Sequence, residues 1–164
     1  MKQWFVFYTK SRHEKKVFEV LTRNGFEAFL PMQKVMKQWS DRKKKVEVPL
    51  FNSYIFVYDT IEKIPVILQT PGISWNIRHN DKPAVLHEKE YTLINRFLES
   101  GLFLESMSIP DLKSGDKVKI IDGSLKGIEG QLVSIEDKQH FVVHLESFTG
   151  SIRVALDPKL LQAI

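Results

Sequence analysis

The sequence predicts an α+β fold in which an antiparallel sheet with flanking helices is followed by a small β-barrel. Strand-like and helix-like periodicities alternate in the first part of the chain, whereas after Gly115 nearly every apolar run is a short strand bounded by turn residues. Residues 102–113 interrupt both patterns with Ser106, Ser108 and Pro110. We therefore expect a first domain over residues 1–101, a linker over residues 102–113 and a second domain over residues 114–164.

Composition narrows the class of protein. Apolar residues make up 43% of the chain and charged residues 27%, so the chain can bury a core. The sequence shows neither an apolar run of bilayer length nor a signal peptide, which favours a cytoplasmic protein without a membrane partner. It has no cysteine and five scattered histidines, and we expect no metal site and no cofactor. Since no nucleophile–base pattern or phosphate loop occurs, we expect no catalytic residue and no enzymatic activity.

The first elements are a strand and a helix. Residues 4–8 are aromatic and β-branched, as in a strand. Ser11 and Glu14 have the spacing of a capping box, and Gly25 is a typical helix stop. On the face opposite Leu21, the helix is expected to present three cations, namely Arg12, Lys16 and Arg23.

A long hairpin is expected next, running from residue 26 to residue 58. Its tip, residues 39–45, combines Trp39 with four successive cations. Residues 1–45 carry 12 Lys and Arg against 4 Asp and Glu, so a polyanion should meet this part of the chain. The tip is equally compatible with a nucleic-acid contact and with a solubilising turn, and charge alone leaves both open.

The second arm of the hairpin predicts a sheet with two apolar faces. Because side chains alternate along a strand, three aromatic residues lie on one face and two aliphatic residues on the other. One face should pack helices, and the other is either covered by a further layer or open to a partner. The aromatic residues are Tyr54, Phe56 and Tyr58, and the aliphatic residues are Ile55 and Val57.

The remaining elements follow from the same patterns. In the first domain we expect helices at residues 62–68 and 88–98 and strands at residues 73–78 and 82–86. In the second domain we expect strands at residues 117–121, 131–135, 141–145 and 152–156.

Two stretches resemble a known family. Residues 115–130 resemble the KOW motif, whose glycines permit tight turns in a small SH3-like barrel. Residues 4–8, the helix after them, Leu30-Pro31 and residues 48–57 resemble the NusG N-terminal (NGN) domain. The run over residues 38–49 is similar to that of UpxY-type antiterminators of polysaccharide operons, and other short stretches are similar to RfaH. The family usually has proline where Asn52 stands.

The resemblance implies a transcription elongation and antitermination factor. Its N-terminal domain would bind the clamp helices of the largest RNA polymerase subunit, and its cations would face non-template DNA. In the barrel, Phe148 would meet a small-subunit ribosomal protein or Rho, unless it is a buried turn anchor. A KOW-type ribosome-associated or RNA-binding module is the alternative function. The implied polymerase contacts are Tyr8, Phe51, Tyr54 and Phe56, and the implied nucleic-acid contacts are Lys10, Arg12, Lys16 and Arg23.

Overall fold

A computed structural model describes residues 1–108, 116–135, 138–145 and 150–164. The first part contains β1 (Gln3–Thr9), α1 (Glu14–Arg23), β2 (Glu27–Phe29), β3 (Met32–Gln38), β4 (Lys43–Pro49), β5 (Tyr54–Asp59), a 3-10 turn (Ile61–Lys63), α2 (Ile64–Ile67), β6 (Ile73–Asn76), β7 (Arg78–His79), β8 (Lys82–Pro83), β9 (Val85–Leu86) and α3 (Glu88–Glu99). The second part contains β10 (Leu104–Ser108), β11 (Asp116–Ile120), β12 (Glu129–Ile135), β13 (Lys138–Leu145), β14 (Gly150–Val154), a 3-10 turn (Pro158–Leu160) and β15 (Leu161–Ala163).

The first sheet is antiparallel and apolar on both faces. Its order is β2-β5-β1-β6, and β9 also pairs with β1. On one face Ile55 and Val57 pack with residues of α1 and α2, and on the other Phe56 packs with residues of α3. The predicted separation of aliphatic and aromatic side chains along β5 is therefore confirmed. Because helices cover both faces, the sheet forms the middle layer of the first part of the structure.

The second sheet is also antiparallel and has the order β10-β14-β13-β12-β11-β15. Its interior is built from alternate apolar residues of each strand, as expected for a small β domain. Five of these residues are almost completely buried, namely Leu104, Ile120, Phe141, Leu145 and Ile152. The predicted fold class, an antiparallel sheet with flanking helices followed by a small KOW-type β domain, is confirmed.

The expected linker differs from the structure at its start. Residues 104–108 form β10, which pairs along its whole length with β14. Leu104 is 1% exposed, and the Arg153 guanidinium contacts the Glu105 carboxylate at 2.6 Å. The serines of this segment are compatible with a strand whose pairing partner lies far away in sequence. The later part of the expected linker, residues 109–113, lies outside the described residues.

The first helix begins later than the capping-box pattern predicts. The N-cap residue is His13, and Glu14 is buried with a carboxylate oxygen that accepts from the Ser53 N–H at 3.3 Å. Arg12 precedes the helix in a left-handed conformation with φ of 65°. The Glu14 carboxylate therefore binds the loop before β5 and does not form a capping box with Ser11. The expectation that Arg12 lies on the helix was wrong.

Contacts join the two parts of the chain. The Arg96 guanidinium on α3 donates to the carbonyls of Ser124 and Lys126, at 3.1 and 2.9 Å. The side-chain amide of Gln33 donates to the Leu104 carbonyl at 2.6 Å, and its oxygen accepts from the Leu104 N–H at 3.1 Å. The second sheet is therefore attached both to α3 and to the base of the β3–β4 hairpin.

No helix in the described ranges combines the length and the apolar character needed to cross a bilayer.

Candidate functional site

Three aromatic rings form a row across the first sheet, which we call the aromatic row. Tyr8 on β1 lies opposite Tyr54 on β5 and opposite Trp75 on β6. Residues directly opposite in antiparallel strands project to the same face, so the three rings are neighbours. Tyr8 and Tyr54 make an edge contact with centroids 5.6 Å apart, and Trp75 stacks on Tyr8 with centroids 4.4 Å apart.

The aromatic row lies at the uncovered end of its sheet face. At the opposite end of β1, Trp4 stacks on Tyr91 of α3 with centroids 5.1 Å apart. Trp4 is 5% exposed, whereas Trp75 is 54% exposed and Tyr8 and Tyr54 are half-buried. The same strand thus supplies a core aromatic at its start and a surface aromatic at its end. An exposed tryptophan held flat against a tyrosine is a large, rigid apolar surface.

The predicted polymerase contacts divide into two groups. Tyr8 and Tyr54 belong to the aromatic row and reach the surface. Phe51 and Phe56 are buried, with 3% and 0% of their surface exposed, and Phe56 packs at 5.8 Å from Phe29. In this structure the two phenylalanines therefore support the face from within, and a partner can reach them only after a rearrangement.

Trp75 was not singled out from the sequence. Strand β6 has only four residues, and its pairing with β1 shifts register between Tyr8 and Thr9. A bulge of this kind changes which side chains face outward, so alternation within β6 does not reveal the orientation of Trp75. The sequence feature that could have indicated its role is the tryptophan itself, which stands in a short segment with few apolar neighbours.

Partial burial affects the chemistry of the row. It raises the pKa of the Tyr54 phenol above its ordinary value, and the neighbouring Tyr8 adds to this because two phenolates would repel each other. The phenol of Tyr54 therefore stays neutral at physiological pH. A neutral face of two phenols and an indole is suited to an apolar partner surface with hydrogen-bonding groups at its margin.

The predicted nucleic-acid contacts are all exposed. Lys10 lies two residues after Tyr8 on the chain, and its backbone N–H donates to the Gly72 carbonyl at 2.8 Å. Lys16 and Arg23 are seven residues apart on α1 and so share a helix face, although Glu19 lies between them. The structure thus places Lys10 near the row and Lys16 and Arg23 together, while Arg12 lies in the turn before the helix.

The β3–β4 hairpin forms a two-stranded sheet of its own. Trp39 at its tip is 44% exposed and lies 5.9 Å from the Arg42 guanidinium carbon and 5.5 Å from the Lys44 ammonium nitrogen. Phe148, the predicted contact for a ribosomal protein or Rho, lies outside the described residues. Its role stays a prediction.

Comparisons with known proteins agree with this architecture. The family described as "Transcription termination factor nusG" matches residues 2–95. A transcription termination/antitermination protein NusG of Streptococcus pyogenes serotype M3 is 31% identical, with 84% of this chain and 83% of the relative covered. The protein of the same name from Lactococcus lactis subsp. lactis is 24% identical over 98% of this chain and 92% of its own.

A solved structure shows the same fold. The structure titled "Domain interaction in Thermotoga maritima NusG" matches with a TM-score of 0.62 at 19% identity, covering 100% of this chain and 98% of its own. The family match covers more than half of the chain and includes the aromatic row. The chain is therefore a member of the NusG family of transcription termination and antitermination factors.

Proposed function

We propose that this protein docks on RNA polymerase through the aromatic row and promotes processive elongation without catalysing a reaction. The observation that carries the proposal is the stack of Trp75 on Tyr8 at the uncovered end of the first sheet. Exposed, preorganised aromatic side chains are the residues that most often dominate the energetics of protein interfaces. The family resemblance supports the clamp helices of the largest polymerase subunit as the partner.

The docked protein would stabilise one state of the transcription complex. Lys10 lies just beyond the row, and Lys16 and Arg23 lie on the exposed face of α1. These cations would contact phosphates of the non-template strand, with Arg12 in the adjoining turn. A factor that binds the clamp and the DNA together binds the elongating state better than the paused state. It shifts the population toward elongation by that difference in affinity.

The resemblance of residues 38–49 to UpxY-type antiterminators supports action on selected operons, such as those for polysaccharides, in the cytoplasm. Phe148 would contact a small-subunit ribosomal protein or Rho. The genome-wide occupancy of this protein tests whether it acts on selected operons, since a specialised factor occupies a few operons and a general factor occupies most transcribed genes.

The docking proposal is tested by a pull-down of core RNA polymerase with the Tyr8→Ala, Tyr54→Ala double variant. We expect a folded protein that no longer retains polymerase, because the variant removes two of the three rings of the row. Phe103→Ala is the matched control, since Phe103 is 63% exposed and lies outside the row. Undiminished retention by the folded double variant, or co-sedimentation of the protein with ribosomes and not with polymerase, would contradict the proposal.

A further inference from the structure

The β3–β4 hairpin carries a strong positive charge. Residues 32–49 contain six Lys and Arg and two Asp and Glu, a local charge of +4. Residues 1–31 carry a further +3, and residues 50–164 carry −3, which gives the net charge of +4 for the whole chain. A charge of this size on one projecting element creates a local positive potential.

The hairpin is fixed at its base and free at its tip. The Leu50 N–H donates to the Pro31 carbonyl at 2.9 Å, and the Lys15 ammonium on α1 donates to the Glu47 carbonyl at 2.8 Å. Gln33 adds its two bonds to Leu104. By contrast, every residue over 36–45 is exposed. A strand advances ~3.3 Å per residue, so seven residues hold the tip about 20 Å from the base.

The tip presents its aromatic ring and several cations on one face. Lys37 lies directly opposite Lys44, and both share the face of Trp39 because alternate residues project to the same side. The Trp39 N–H donates to the Arg42 carbonyl at 2.7 Å and closes the turn. Like charges directly opposite each other destabilise a strand pair. Stability of the hairpin therefore does not account for this pairing, whereas a polyanionic partner does.

Single-stranded nucleic acid fits this arrangement best. Unpaired bases expose faces that stack on an aromatic ring, and cations beside the ring bind the adjoining phosphates. A duplex offers phosphates but keeps its base faces stacked inside. An acidic peptide would use the cations and leave the ring without an obvious role.

We propose that the hairpin tip, formed by Lys37, Trp39, Arg42 and Lys44, binds single-stranded nucleic acid by stacking a base on Trp39. This site is separate from the aromatic row and from the cations of α1, and so it goes beyond the function proposed above. It requires no polymerase. Its affinity in isolation is modest, because few phosphate contacts are available.

The stacking part is tested with the full-length protein and fluorescently labelled oligonucleotides of about 12 nucleotides, a length within the usual range of single-strand sites. Fluorescence anisotropy at low salt compares single-stranded DNA, RNA of the same sequence and the DNA duplex. We expect Trp39→Ala to weaken single-strand binding about tenfold and duplex binding much less. Trp39→Phe should retain most of the affinity.

Met36→Ala is the matched control, because Met36 is 60% exposed on the other face of the same hairpin. Equal losses on single strand and duplex would overturn the stacking proposal, as would unchanged binding by Trp39→Ala. The DNA and RNA measurements show which strand is preferred, and a preference for either supports the proposal. Displacement of the oligonucleotide by poly-glutamate at equal charge concentration would overturn it in favour of an acidic peptide.

The charge part is tested by the salt dependence of binding. Lys37→Gln with Lys44→Gln should reduce the slope of log affinity against log salt by about 1.4, because each single-strand phosphate contact contributes ~0.7. Lys82→Gln with Lys138→Gln makes the same charge change at exposed positions outside the hairpin and should leave the slope unchanged. Equal slopes for the two pairs would overturn the proposal. Trp39→Ala should still retain polymerase, so this test and the docking test fail independently.

Discussion

The indole of Trp75 lies parallel to the phenol ring of Tyr8, with an angle of 5° between the planes. The contact joins neighbouring strands of the first sheet and leaves more than half of Trp75 exposed, at 54%. The ring is thus fixed before any partner arrives. A preorganised ring loses little conformational entropy on binding, which is a common property of strong interface residues.

Trp75→Ala should weaken the binding of core RNA polymerase at least about tenfold, the range expected for a central interface aromatic. Trp75→Phe should have a smaller effect, because a phenyl ring can still stack on Tyr8. Biolayer interferometry with immobilised polymerase measures both, with Phe103→Ala as the exposed aromatic control. Wild-type affinity in Trp75→Ala would remove Trp75 from the docking face.

The Tyr54 phenol should ionise late in an alkaline titration. Its pKa is raised from 10.0 by burial and by Tyr8, so the fold favours the neutral phenol. The stability that depends on neutral Tyr54 is fully present below pH ~10 and is lost as pH rises through the raised pKa. Tyrosinate absorbance of the four tyrosines should show a late phase. Tyr54→Phe should abolish that phase, and Tyr8→Phe should move it to lower pH. A late phase that persists in Tyr54→Phe would show that another group causes it.

The cations at the two ends of α1 should act on DNA and not on polymerase. Arg12→Glu with Arg23→Glu should leave polymerase retention unchanged and reduce crosslinking to the non-template strand in an assembled elongation complex, because phosphates repel the new carboxylates. Lys82→Glu with Lys138→Glu provides the same charge change elsewhere. If crosslinking falls equally in both pairs, the effect reflects net charge and not these positions.

The second domain should need β10 to reach full stability. A fragment of residues 102–164 should give a β-type circular dichroism spectrum and a cooperative melt. A fragment of residues 114–164 lacks Leu104 and the contact of Glu105 with Arg153. Losing one buried leucine costs roughly 2 kcal/mol, so its midpoint should fall by about 10 °C. Equal midpoints would show that β10 is dispensable, and a helical spectrum of either fragment would contradict an independent β domain.

Periodicity was sufficient where neighbours in sequence determine the structure. The alternation of aromatic and aliphatic residues along β5 correctly predicted two apolar faces, because a strand projects side chains with a period of two. The helix over residues 88–98 was confirmed within one residue at its end, at Glu88–Glu99. Each of these patterns lies within a single helix or strand.

Contacts between residues far apart in the sequence account for the differences between the predicted and the observed structure. Ser11 and Glu14 match a capping box, yet Glu14 bonds to Ser53, which is 39 residues away. The serines of β10 suggested a linker, yet its partner β14 begins at Gly150. Phe56 was expected on a docking surface but packs in the core with residues of α3. In each case the deciding contact comes from an element that sequence spacing does not locate.

The two hydrogen bonds between the Gln33 amide and the backbone of Leu104 have a mechanical consequence. The pair of bonds has the pattern of one hydrogen-bonded residue pair in a β-ladder, with the Gln33 side-chain amide in place of the second backbone. The root of the hairpin is thereby hinged to the first residue of β10, at the edge of the second sheet. A force applied to the projecting hairpin would therefore be transmitted to β10 and to that edge of the second sheet.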